Sequence, residues 1–175
     1  MRPRRTALSL AILVAFAGCA GDPAPTAPGS TASVAALPDP SSDLWRVRRQ
    51  LERAADGLLY TSESDHPFTF LDVGASIAEP LTVAGFRTAA AIPADSVVEQ
   101  VSLDAFLARH IEDVDPADAA AVALVPRYER LRATLQRELA GATVFRVGRI
   151  LIRCHLVGTT RGGRIAGLTT WAVET

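Results

Sequence analysis

Seven consecutive residues, Thr61-Ser62-Glu63-Ser64-Asp65-His66-Pro67, collect hydroxyls, two carboxylates and an imidazole. They sit between an apolar stripe ending in Leu58-Leu59-Tyr60 and the apolar Phe68-Thr69-Phe70. Serine, histidine and acid are the residue types of a hydrolase, which needs a nucleophile, a base and an orienting acid brought together. Neighbours in one loop rarely point at one another, and no strand–turn–helix elbow surrounds Ser62 or Ser64. His66, His110 and His155 are single and far apart, without a ligand spacing to Cys or Asp, so the pattern calls for no metal of the chain's own and no cofactor. Arg161-Gly162-Gly163-Arg164 reads as a turn between strands and not as a phosphate loop opening a helix. The sequence demands no enzyme, and it names no catalytic residue. The other chemistry open to such a loop is a polar plug that enters another protein's site. At the far end of the sequence, Ala172-Val173-Glu174-Thr175 follows a strand pattern. A terminal threonine offers a hydroxyl and an α-carboxylate, hard oxygen donors of the kind Mg²⁺ accepts.

The elements that must position these groups follow from periodicity. Ser41 or Ser42 can cap a helix whose apolar residues Leu44, Val47, Leu51, Ala54 and Leu58 keep helical spacing, with Gly57 near its end. After the polar loop, residues 67–73 read as a strand, 81–92 as a helix weakened by Gly85, 97–103 as a strand and 104–110 as a short helix. Asp115-Pro116-Ala117-Asp118 reads as a helix start with Asp115 as cap, and Leu124, Tyr128, Leu131, Leu135 and Leu139 continue the stripe. Pro126 is expected to kink or split that helix, and Gly141 to end it. Residues 143–147, 150–157 and 165–173 read as strands, the last two joined by a glycine-rich hairpin turn. In the second of them Ile150, Ile152, Cys154 and Leu156 alternate against Leu151, Arg153, His155 and Val157, so Cys154 is expected to be a buried, inert thiol. Runs of strands and helices, not strict alternation, indicate α+β with a mainly antiparallel sheet in a single domain.

The start of the chain has another character. Met1 to Arg5 is basic and Ala7 to Phe16 is apolar, about ten residues, the length of a signal peptide and too short to span a bilayer. It closes on Phe16-Ala17-Gly18-Cys19, which resembles a bacterial lipobox with Cys19 as the lipid-bearing residue. Residues 19–40 are rich in Pro, Ala, Gly, Ser and Thr and read as a tether. The organisation expected is a lipoprotein-type signal over 1–18, the tether, and one domain over 41–175. The location that follows is the cell envelope, at the outer membrane or periplasmic face where the cell has one. Net charge is −1, and every one of the 18 basic residues is Arg. Residues 56–118 hold twelve acids against two Arg, while residues 119–175 hold nine Arg against three acids. An acidic middle argues against a nucleic-acid-binding face there and suggests either a basic partner or a solvated acidic surface that aids solubility.

Residues 51–68, LERAADGLLYTSESDHPF, resemble the start of the nuclease A inhibitor family: an amphipathic helix, DGLL plus an aromatic, then SES, an acid and PF. The stretches VFRVG at 144–148, V-G-x-T at 157–160 and IAGLTT…VET at 165–175 are similar to the family's second half. The resemblance implies an α/β/α sandwich around an antiparallel-dominated sheet. It also implies a non-enzymatic inhibitor of a sugar-nonspecific ββα-metal endonuclease, bound one-to-one by a monomer. In that reading Glu63, flanked by Ser62 and Ser64, enters the nuclease's basic site, and Thr175, preceded by Glu174, sets its oxygens on the nuclease's Mg²⁺. Asp115 stands where an acid before the long helix contributes to the family's interface. The aromatic residue that follows that acid in the family is replaced here by Pro116. The alternative is an envelope lipoprotein that keeps the fold and binds another protein or a cell-wall ligand.

Overall fold

The computed structural model describes residues 42–76 and 81–175. The signal expected over 1–18, Cys19 and the tether through residue 40 lie outside the described residues. The elements run α1 (Asp43–Ala55), β1 (Leu59–Thr61), β2 (Asp65–Pro67), β3 (Thr69–Ser76), α2 (Val83–Ala89), β4 (Val98–Ser102), α3 (Leu103–Ile111), α4 (Ala119–Glu138), β5 (Ala140–Val147), β6 (Leu151–Thr159) and β7 (Arg164–Val173). Ser42 starts α1 by accepting the Trp45 N–H at 3.2 Å. Gly57, at φ +64°, reverses the chain after the helix, a conformation that glycine takes without a side-chain clash.

Five strands form one sheet in the order β3-β7-β6-β5-β4, and every neighbouring pair is antiparallel. Strand alternation sends Val144, Ile152, Cys154, Leu156, Leu168 and Ala172 to an inner face, where they pack with residues of α1, α3 and α4. Val47, Leu51, Leu107, Leu131 and Leu135 reach that layer fully buried. Each such side chain removed from water contributes on the order of 1.5–3 kcal/mol. On the outer face Phe145, Val157 and Ile165 meet Phe86 of α2, with the Phe86 and Phe145 rings stacked at 4.3 Å. The architecture is the α/β/α sandwich of an α+β domain, three helices on one side and a seven-residue helix on the other.

Several local expectations need correction. The polar loop is a β-hairpin: β1 and β2 pair antiparallel, Leu59 opposite Pro67 and Thr61 opposite Asp65. The cap of α4 is Asp118, whose Oδ1 accepts from Ala120 and Ala121 N–H. Asp115 instead closes the turn before it, accepting the Ala117 N–H at 2.8 Å. Pro126 does not split α4, which runs unbroken through it. Pro126 lies on the exposed side, where water can satisfy the carbonyl its ring frees. Gly141 does not end the helix. At φ +61° it forms a bulge in β5, where the register to β6 slips between Ala140 and Thr143. Ile150 precedes β6 and is 64% exposed, unlike the buried Ile152, Cys154 and Leu156 with which alternation grouped it.

Candidate partner-binding site

β3 leaves the edge of β7 where Thr69 faces Thr169. Beyond that point the β1–β2 hairpin takes the vacated edge. Thr170 Oγ1 donates to the His66 carbonyl at 3.1 Å. Val173 N–H donates to Ser62 Oγ at 2.9 Å, and Glu63 N–H donates back to the Val173 carbonyl at 3.3 Å. Ser62 also donates its own hydroxyl proton to the Ser64 carbonyl at 3.0 Å. One serine therefore ties the tip to itself and to the strand end.

That tie sets Glu63 beside the last residue of the sequence. Glu63 Oε1 accepts from the Thr175 N–H at 3.1 Å and from the Thr175 hydroxyl at 2.6 Å. Both residues are exposed. Because the hydroxyl proton points at Glu63, the oxygen's lone pairs are left for an outside electrophile. On the other side of the strand end, Glu174 donates its N–H to the Ile150 carbonyl at 3.0 Å and accepts from Arg146 Nη2 at 2.6 Å. Arg146 reaches Glu99 as well, at 3.2 Å.

The hairpin is anchored from below. Tyr128 of α4 donates its hydroxyl to the Leu59 carbonyl at 2.5 Å, and Tyr60 stacks on Phe106 at 4.3 Å. Thr61 N–H donates to His110 Nε2 at 3.4 Å. Burial, with the Arg109 guanidinium beside it, pushes His110 down to about 4, so at neutral pH its ring is uncharged and Nε2 is free to accept. A cleft of about 310 Å³ lies between hairpin and helices, lined in part by Thr61, Arg109, His110, Asp115, Asp118 and Tyr128. Ser62, Glu63, Ser64, Glu174 and Thr175 thus converge at one end of the sheet, and Asp115 stands on the rim of the adjoining cleft.

Ser64 Oγ lies 2.8 Å from His66 Nε2, against the expectation that loop neighbours do not face each other. The cause is the hairpin, in which residues two apart share a face. Cys154 is free and buried. Burial outweighs Arg146 and pushes its thiol up to about 11, so no thiolate forms near neutrality. Among the described residues no three His, Cys, Asp or Glu converge to hold a metal. His110, Tyr128 and Arg146, which support the plug end, were not singled out by sequence. Tyr128 lay in the helical stripe and read only as packing.

The sequence model of the nuclease A inhibitor-like protein family matches residues 46–175. The chain belongs to this nuclease A inhibitor-like family. No curated protein matches it. The family match spans the hairpin, the cleft and the strand end that carries Glu174 and Thr175. Membership in a nuclease A inhibitor-like family points to an inhibitor with a protein partner such as a nuclease, and not to catalysis by the chain.

Proposed function

We propose that the domain inhibits a sugar-nonspecific ββα-metal endonuclease by entering its active site with Glu63 and Thr175. The observation that carries this reading is the double hydrogen bond from Thr175 to the Glu63 carboxylate. It fixes a carboxylate and the Thr175 hydroxyl together at an exposed point before any partner arrives. A nuclease site holds a divalent cation and cationic side chains built for phosphate, so carboxylates placed there substitute for substrate charge. Thr175 supplies hard oxygen donors to the partner's Mg²⁺ through its hydroxyl and α-carboxylate. Glu63 Oε2, which has no partner among the described residues, is left for an arginine or lysine of the nuclease. Preorganisation matters because ordering an exposed Glu on binding costs about 0.5–1.5 kcal/mol. The acids of residues 56–118 favour encounter with a basic surface. Asp115, on the cleft rim, extends the contact. Lipid on Cys19 and the tether to residue 40 would hold the inhibitor at the envelope, against exported or incoming nuclease.

The test is a titration of the purified chain, untagged at its C-terminus, against such an endonuclease with Mg²⁺ present. Stoichiometric inhibition that weakens in Glu63→Ala and on removal of Thr175 supports the plug. A folded parent that leaves the nuclease fully active overturns it.

A further inference from the structure

We propose that the apolar rim beside the plug, formed by Val97, Ile150 and Leu151 with Trp171 behind it, is a second contact surface for the same metal-dependent nuclease. The inference rests on the plug reading and deepens it.

Large apolar residues exposed among the described residues are Leu59, Val97, Val122, Ile150 and Leu151. Three of these gather at one end of the sheet. Gly148 N–H donates to the Val97 carbonyl at 3.0 Å, which brings the start of β4 against the turn between β5 and β6. Ile150 and Leu151, on the far side of that turn, are 64% and 57% exposed. The display is written into the backbone. Gly148 holds φ +122°, and a Cβ there would meet the Leu151 carbonyl oxygen at 2.5 Å, so only glycine lets the chain turn this tightly.

The rim is continuous with the plug. The Ile150 carbonyl accepts the Glu174 N–H at 3.0 Å, and Leu151 pairs with Val173 across the β6–β7 ladder. Thr175 lies two residues past Val173, so Leu151 and Thr175 are separated by roughly 8 Å, from strand spacing and residue rise. A body that closes over Thr175 must also meet Ile150 and Leu151. Among the described residues no helix covers the outer face next to them, because the cluster under α2 contains Phe145, Val157 and Ile165 and stops short of Leu151, Trp171 and Val173. On this open strip the Arg153 guanidinium sits over the Trp171 ring at 4.7 Å. Trp and Arg are the residue types that dominate interface energetics.

Area decides the occupant. A stable protein complex covers about 800 Å² on each partner, far more than the side chains of Glu63 and Thr175 supply. The rim adds apolar surface on the side where the nuclease would already lie. Once covered, it would shut water away from the carboxylate contacts and strengthen them, since charge interactions grow as the dielectric falls. The plug then supplies the charge recognition, and the rim supplies the dry border.

Four purified full-length chains test this: parent, Ile150→Ser with Leu151→Ser, Val122→Ser on α4 as an exposed apolar control, and a chain lacking Thr175. Inhibition of a sugar-nonspecific endonuclease with Mg²⁺ is read with the melting temperature and sedimentation velocity. The rim variant should inhibit about 10- to 100-fold more weakly through faster dissociation. Its melting temperature should match the parent, and Val122→Ser should change nothing. A rim variant within twofold of the parent, while loss of Thr175 still weakens inhibition, overturns the rim and leaves the plug standing. A parent that inhibits nothing overturns both. A parent dimer dissolved by the rim substitutions with inhibition intact also overturns the proposal and assigns the surface to a second copy of this chain.

Discussion

Among the described residues, the inner face of the sheet carries α1, α3 and α4 and seals Val144, Cys154 and Leu156 from solvent, whereas the outer face carries α2 alone and leaves the β6–β7 strip beside Thr175 open. Apolar burial holds the first region, whose core side chains are sealed from any partner. In the second region a few exposed hydrogen bonds and an arginine–tryptophan stack arrange groups that face outward. Stability and recognition therefore rest on different groups, joined where Tyr60 and Tyr128 anchor the hairpin on the inner layer. Perturbing one should leave the other's measurement unmoved.

The strongest way to break that division is Leu135→Ala in the inner layer, where the side chain is fully buried. A loss of about 2–5 kcal/mol in urea unfolding is expected, with the surviving folded fraction inhibiting as tightly as the parent. Weaker inhibition per folded molecule would show that the layers are coupled. Next comes removal of Thr175, expected to cost about 3 kcal/mol of binding, roughly 100-fold, with the melting temperature unchanged. Glu63→Ala should cost a similar amount. The double variant should fall short of the sum by about 1 kcal/mol or more, because the two residues share hydrogen bonds. Strict additivity would dissolve the idea of one preorganised unit.

Acid should sharpen the comparison with a smaller effect. Burial, with Arg109 beside His110 and Arg153 beside His155, depresses both histidines to about 4. A depressed histidine supports the fold fully above its unfolded value near 6.5, and that support is lost as pH falls through the window down to about 4. By pH 5.5 the loss should be on the order of 1 kcal/mol for each histidine. Replacing His110 by Asn should flatten its share, and a urea midpoint constant from pH 7 to 5 would refute the assignment. The least effect belongs to the exposed pair Arg48–Glu52 at 2.8 Å. Arg48→Ala should change stability by under about 0.5 kcal/mol.

Local rules made the frame legible. Ser42 caps α1, alternation in β6 placed Ile152, Cys154 and Leu156 together, and α4 showed its stripe through Tyr128, Leu131 and Leu135. The hairpin did not show, because β1 and β2 are three residues each and owe their position to Thr170 and Val173, over 100 residues away. Asp115 and Asp118 both satisfy a helix-cap rule, so sequence alone could not choose between them. The residue types of the plug were visible, but the pairing of Glu63 with Thr175 spans 112 residues and no local pattern encodes it. The exposed rim was hidden for the opposite reason. Ile150 and Leu151 continue an apolar run, and a run does not announce where it leaves the sheet.

The β3–β7 ladder joins residues 100 apart in sequence. Closing so long a loop costs entropy before the ladder repays it, so this pairing is expected among the late events of folding, on a timescale of milliseconds to seconds. The hairpin docks on the stretch of β7 edge beyond this ladder, so Ser62 meets Val173 only once β7 is in place. Inhibitory competence should then arise abruptly and last, and chains caught midway through folding should leave a nuclease at full speed.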